Sequence, residues 1–173
     1  MKPSTKGLLI AAVHIGLVAS LGAKLLYDRE TRPRVWALTA PYDPSLPIRG
    51  RYVSLQLVVE PKEGQETEPG RRPSRSVTLH VEGGRLVAYA NSQEQSDDPS
   101  DLHLNFVTRG SENMALLDKP VAFFISEKIA DPSRRPPGEA LWVEVTLPKK
   151  GPPRPIRLGI KKEGGPIVPL ELS

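Results

Sequence analysis

The sequence predicts a mainly β protein, an antiparallel β-sandwich or small barrel preceded by one N-terminal transmembrane helix. Three observations predict it. Residues 7–23, GLLIAAVHIGLVASLGA, form one long apolar run. Beyond residue 35 no stretch keeps a 3.6-residue apolar period for three turns, whereas period-two alternation recurs. Prolines number 19 and cluster between the alternating stretches, at 61–73, 132–137 and 148–155. Proline has no N–H to give to a ladder and disfavours helix interiors, so this placement suits short strands joined by stiff loops. At 173 residues the chain divides into a membrane segment over 1–27 and one β-rich domain over 28–173.

Leu25, Leu26 and Tyr27 extend the first run past Lys24 to about 20 residues, enough at 1.5 Å each to cross the ~30 Å hydrocarbon core. Lys24 can snorkel to the interface, where Tyr27 is also at home. A cleaved signal peptide is one reading, with Lys2 and Lys6 as its charged start and Ser20-Leu21-Gly22 as its cleavage site. An uncleaved anchor is the other, and it is favoured because the apolar run exceeds a signal core and continues past that site. His14, in mid-span, raises the question of an intramembrane function against that of a neutral imidazole tolerated in a single helix. Lys24, Arg29, Arg32 and Arg34 outnumber Lys2, Lys6 and the terminal amine, so flanking charge alone does not favour export of the domain.

The strands follow in order. Val53, Leu55, Leu57 and Val59 alternate with Tyr52, Ser54, Gln56 and Val58; Val77, Leu79 and Val81 alternate with Thr78 and His80. Further alternation runs through Leu102–Phe106, Leu141–Leu147 and Ile156–Ile160. Glu82-Gly83-Gly84 and Glu163-Gly164-Gly165 each separate two such runs, and paired glycines supply the positive φ of a primed hairpin turn. The run VAFFI at 121–125 is apolar on both faces and is expected at the centre of a sheet. The acidic loop 94–101 is expected to be solvated and mobile. Eight or nine strands result.

Composition narrows function. With no cysteine there are no disulfides, no thiolate chemistry and no Cys-ligated metal. The net charge is +4, but Lys2, Lys6 and Lys24 belong to the N-terminal segment, leaving 21 basic against 20 acidic residues in the domain. A nearly neutral domain lacks the basic field that phosphate backbones reward, so no nucleic-acid partner is expected. Asp97, Asp98 and Asp101 lack an EF-hand's spacing, His80 and His103 could share a metal only on adjacent strands, and the glycine pairs precede no helix. No cofactor and no metal are expected.

The segment entering the second apolar run reads PYDPSLPIRGRYVSLQL, residues 41–57. Pro44 and Pro47 push Asp43 and Leu46 toward extended geometry, Asp43 can accept backbone N–H bonds, and Gly50 frees the backbone before the strand. Tyr52 then falls on the face opposite Val53, Leu55 and Leu57. This segment resembles the signature of the bacterial GDYXXLXY proteins through Pro41, Asp43, Pro44, Arg49, Gly50, Tyr52 and Leu55. Arg51 stands for that family's aspartate and Leu57 for its last tyrosine, a divergent Gly-Arg-Tyr variant. The resemblance implies an uncharacterised protein anchored in the cytoplasmic-membrane bilayer by a single pass. It further implies a domain on the extracytoplasmic side and a multi-pass membrane protein as partner. Asp43, Arg49, Gly50, Arg51 and Tyr52 form the expected binding corner, against the structural alternative that Tyr52 simply bonds back to the turn.

No catalytic residue is expected, and the protein reads as a non-enzymatic accessory subunit. An enzyme of the signal-peptidase kind is the alternative, with Ser45 as nucleophile and Lys119 as its base. Two other features suit binding. Lys149, Lys150, Arg154, Arg157, Lys161 and Lys162 precede the next acid, Glu163, and would be attracted to anionic lipid if that end met a bilayer, unless they merely guard an edge strand. Trp142 points away from the aliphatic side of its strand, and with Trp36, soon after the helix, it makes a possible interfacial pair.

Overall fold

The computed structural model describes residues 3–41, 52–62, 75–94, 98, 100–109, 112–126, 128–129 and 131–172. Two compact units divide at Arg32/Pro33. The first is helix α1, Pro3–Thr31, of 29 residues. Leu8, Ile10, Ile15, Leu17, Val18 and Leu26 are each more than half exposed, so the helix is apolar around its circumference. It is long and apolar enough to cross a membrane. Two of its hydroxyls bond within the helix: Ser20 Oγ donates to the Leu17 carbonyl and Thr31 Oγ1 to that of Tyr27, both at 2.8 Å. His14 Nδ1 lies 2.8 Å from the Ile10 carbonyl oxygen, a bond its Nδ1–H tautomer donates. The bond gives the imidazole N–H a partner within the helix. Arg32 pairs with Asp28 at 3.1 Å, and Pro33, which cannot donate to the preceding turn, ends the helix.

The second unit is a ten-stranded sheet. Its strands are β1 (Arg34–Pro41), β2 (Tyr52–Pro61), β3 (Arg75–Glu82), β4 (Arg85–Glu94), β5 (Leu104–Arg109), β6 (Glu112–Leu117), β7 (Val121–Phe124), β8 (Glu139–Thr146), β9 (Arg154–Lys162) and β10 (Ile167–Pro169). The order is β10-β9-β8-β1-β2-β4-β3, with β6 and β7 also on β2 and β5 outside β6. The mainly β class with an N-terminal helix is therefore as the sequence predicts. One contact is parallel, Glu60–Pro61 of β2 with Val87–Ala88 of β4. It arises because β3 takes the outer position and β4, folding back from it, reaches β2 running the same way.

Alternation sets the core. Val53, Leu55, Leu57 and Val59 of β2 are buried, and Tyr52, Ser54 and Gln56 are not. They join Ala37 of β1, Leu104 of β5, Leu117 of β6, Val143 and Val145 of β8 and Leu158 of β9 in one cluster. The Glu82-Gly83-Gly84-Arg85 hairpin forms as expected, with both glycines at positive φ, 55° and 75°.

Three features differ from expectation. Strands β1 and β6 carry no strong β signal, since RVWALTAP turns small residues inward and ENMALL is composed largely of good helix formers. The VAFF strand is not central: among the described residues β7 pairs with β2 alone, and its second face is exposed. Finally, β6 and β7 lie along β2 as one interrupted strand. Leu116 to Val121 takes five residue steps where the facing Val58 to Leu55 takes three, so Asp118-Lys119-Pro120 loops out. Asp118 secures that loop: its N–H donates to the His103 carbonyl at 2.8 Å and its Oδ1 accepts from His103 N at 2.9 Å.

Candidate functional site

Of the expected binding corner, Asp43, Arg49, Gly50 and Arg51 lie outside the described residues, as does Ser45. Tyr52 is described, and it stands where alternation puts it, outward at the start of β2. Directly opposite, Phe124 of β7 packs edge-on against it with ring centroids 5.4 Å apart. The two rings are 49% and 64% exposed, which makes them an aromatic pair at the sheet surface, not part of the core. The sequence singled out Tyr52. Its partner went unrecognised because the apolar VAFF run reads as buried on both faces.

Lys119 is half-buried in the looped-out segment, and its ammonium donates to the Asp101 carbonyl. An ammonium so engaged ties the looped-out segment to Asp101. His103 faces Asp118, with Nδ1 3.5 Å from Oδ2, while His80 stacks edge-on against Tyr89 at 5.2 Å. Among the described residues no group of three or more metal-ligating side chains converges. Asp98 accepts from the N–H and the hydroxyl of Ser100, both at 2.8 Å. Those bonds, the backbone one first, hold its carboxyl below the usual aspartate value. Residues 95–97 and 99 of the acidic loop lie outside the described residues.

A polar cluster crosses the outer surface of β2, β3 and β4. The Tyr89 hydroxyl donates to Glu82, whose other oxygen takes Lys62 at 3.0 Å, and Arg85 reaches Glu60 at 2.8 Å. The tyrosine bond first, and the lysine second, holds the Glu82 carboxyl below its ordinary value, and the same contacts raise Tyr89 and Lys62. These groups are exposed, so they orient a surface more than they stabilise it.

The most organised surface is the outer face of β1, β8 and β9. Register places Trp36 beside Glu144, and Glu144 beside Arg157. It likewise places Leu38 beside Trp142, and Trp142 beside Gly159. Arg157 Nε donates to the buried Glu144 carboxylate at 2.7 Å while its guanidinium carbon lies 5.4 Å from the centroid of the Trp36 ring. Lys161 Nζ lies 5.3 Å from the centroid of the Trp142 ring. Each such stacking contributes about 0.5–1 kcal/mol at a partly exposed site. Gly159 makes the arrangement possible, since a Cβ there would fall 2.8 Å from Ile167 Cγ2 and 2.9 Å from Trp36 Cζ3. A register shift between Glu144 and Val145 has a second consequence. Arg154, opposite Thr146, and Arg157, opposite Glu144, are three residues apart yet share the outer face, where strict alternation would separate them.

Lys161 and Trp142, with Leu38, Ala140, Gly138 and Glu163, line a wide, shallow groove of about 520 Å³. The indole Nε1 of Trp142 is buried and meets no acceptor among the described residues, a deficit of about 1–3 kcal/mol for a dry donor. Sequence reading noticed the basic run and the two tryptophans separately. Their convergence needed the strand order, in particular the placement of β1 next to β8.

No protein-family model, no curated protein and no solved structure matches the chain.

Proposed function

We propose that this chain is a membrane-tethered β domain that acts as a non-enzymatic binding or accessory subunit of a membrane protein, with the domain on the extracytoplasmic side of the cytoplasmic membrane. The observation that carries the reading is α1, a helix whose length and apolar composition suit a hydrocarbon solvent. The likeness of residues 41–57 to the GDYXXLXY signature supports the extracytoplasmic side and a multi-pass partner. The exposed Tyr52–Phe124 pair supports a protein contact at that corner, since exposed aromatic clusters on a sheet surface are favoured anchors of interfaces. The serine–lysine hydrolase alternative draws no support from Lys119, which is tied to Asp101.

The test is a photo-crosslinker at position 124 in the full-length chain, in native membranes, with the intact mass of the recovered protein read alongside. The expected result is one stoichiometric adduct to a membrane protein and a mass that retains α1. Tyr52→Ala should cut the adduct severalfold while leaving the thermal midpoint within the range of ordinary surface substitutions, about ±0.5 kcal/mol. A mature chain beginning near Ala23 would sink the tether. A midpoint that falls with Tyr52→Ala while crosslinking per folded molecule persists would make Tyr52 a folding residue.

A further inference from the structure

We infer that the outer face of β1, β8 and β9 is a docking surface for an anionic bilayer. This rests on the tethered reading of α1 and adds an orientation to it. Four observations carry it. The first is charge: Arg34, Arg154, Arg157 and Lys161 occupy outward register positions on these three strands, where the one carboxylate, Glu144, is neutralised by Arg157. At the groove end Glu139 and Glu163 add two carboxylates, of which Glu139 pairs with Lys162 at 3.5 Å and with Arg135 at 3.8 Å. An anionic surface is the complement of such a face.

The second is aromatic content. Trp36 and Trp142 are the protein's only tryptophans, and both stand on this face, each half-buried with a cation over its ring. Indoles with one apolar side and one polar edge favour the headgroup layer. The third is shape: the groove beside Trp142 is broad and shallow, suited to a planar surface and not to an enclosed small molecule. The fourth is covalent. Only Arg32 and Pro33 separate the end of α1 from the first residue of β1, and Trp36 follows Thr31 by five residues, at most ~18 Å of extended chain. The first residues of this face therefore stay within that reach of the end of the helix.

The two tryptophans also supply the probe. Full-length Trp36→Phe protein, in which Trp142 is the sole emitter, is reconstituted into nanodiscs of brominated phosphatidylcholine with and without phosphatidylglycerol. Expected is quenching of Trp142 that strengthens with the anionic lipid and is relieved by high salt. Lys161→Glu and, separately, Arg154→Glu should each lower the docked-to-free ratio by at least about fivefold, the value of one basic residue near a charged surface. Arg154 does not touch Trp142, so its effect cannot come from a local change in the indole's environment, and far-UV circular dichroism controls for folding. Emission equal in brominated and plain discs, from protein that resists alkaline extraction, overturns the docking face while leaving the tether intact. Quenching indifferent to salt and to both reversals likewise overturns it. If the chain fails to stay in the disc, the tether is what fails. The same protein added to brominated anionic vesicles then reads the face alone, quenching supporting it and silence refuting it.

Discussion

Gly159 shows how one missing methyl group can organise a surface. With a Cβ, the Trp36 ring and the Ile167 methyl would both have to retreat from contacts of 2.8–2.9 Å. Gly159→Ala should therefore cost about 1–3 kcal/mol, the range for overpacking, and shift the tryptophan emission, both read in a denaturant titration. Glu82 is the residue to follow with pH. Its carboxyl is held below the ordinary glutamate value of 4.5 by the Tyr89 hydroxyl and then by Lys62, so its contribution is complete above 4.5 and fades as pH falls through the lower folded value. Tyr89 is raised above 10.0, and its contribution is complete below that pH and is lost as pH rises through the raised value. Tyr89→Phe should therefore shrink the acid decline of the denaturation midpoint, which would still begin near 4.5 but end at higher pH, and should remove part of its alkaline decline. A midpoint profile that superimposes on wild type across both limbs would show the contact to be energetically silent.

Among the elements, the interrupted β6–β7 strand is the one whose local device is most exposed to test. Asp118 trades two bonds with the His103 backbone, at 2.8 and 2.9 Å, and thereby absorbs the two extra residues between Leu116 and Val121. Asp118→Ala leaves the half-buried His103 N–H without its acceptor, a loss of about 1–2 kcal/mol. Because β7 is short and pairs only with β2 among the described residues, its amides should exchange fastest in that variant, ahead of those in β8 and β9. Uniform acceleration through the whole sheet would instead mean that the loop stabilises the fold globally. The same reasoning explains why VAFF misled: an apolar run announces burial on two faces only if a second layer or neighbour exists, and Phe124 finds its company in Tyr52 at the surface.

At the scale of the molecule, α1 and the sheet are two compact units, and both tryptophans belong to the second. Unfolding followed by tryptophan emission in detergent should thus show one cooperative transition of the β unit. The far-UV signal should retain a helical remainder past that transition, since a helix in an apolar phase keeps all its backbone bonds internal. Loss of both signals together would show that the helix and the sheet depend on each other.

The sequence by itself determined the class of the fold and the presence of the helix. Those rest on short-range physics: an apolar stretch of about 20 residues, broken only by His14, Ser20 and Lys24, forms a helix long enough to cross hydrocarbon, and the alternation of Val53, Leu55, Leu57 and Val59 allows one strand and one inward face. The paired glycines at 83–84 likewise specify their turn locally, through two positive φ angles. What only the tertiary structure decided is who stands beside whom. Strand order is settled by contacts between residues a hundred positions apart, such as Thr39 Oγ1 with the Leu141 carbonyl at 2.9 Å. Nothing in the local pattern of RVWALTAP announces that partner. Trp36, Trp142, Arg157 and Lys161 were each visible as residues, but their meeting on one face follows from that long-range pairing and from a single register shift.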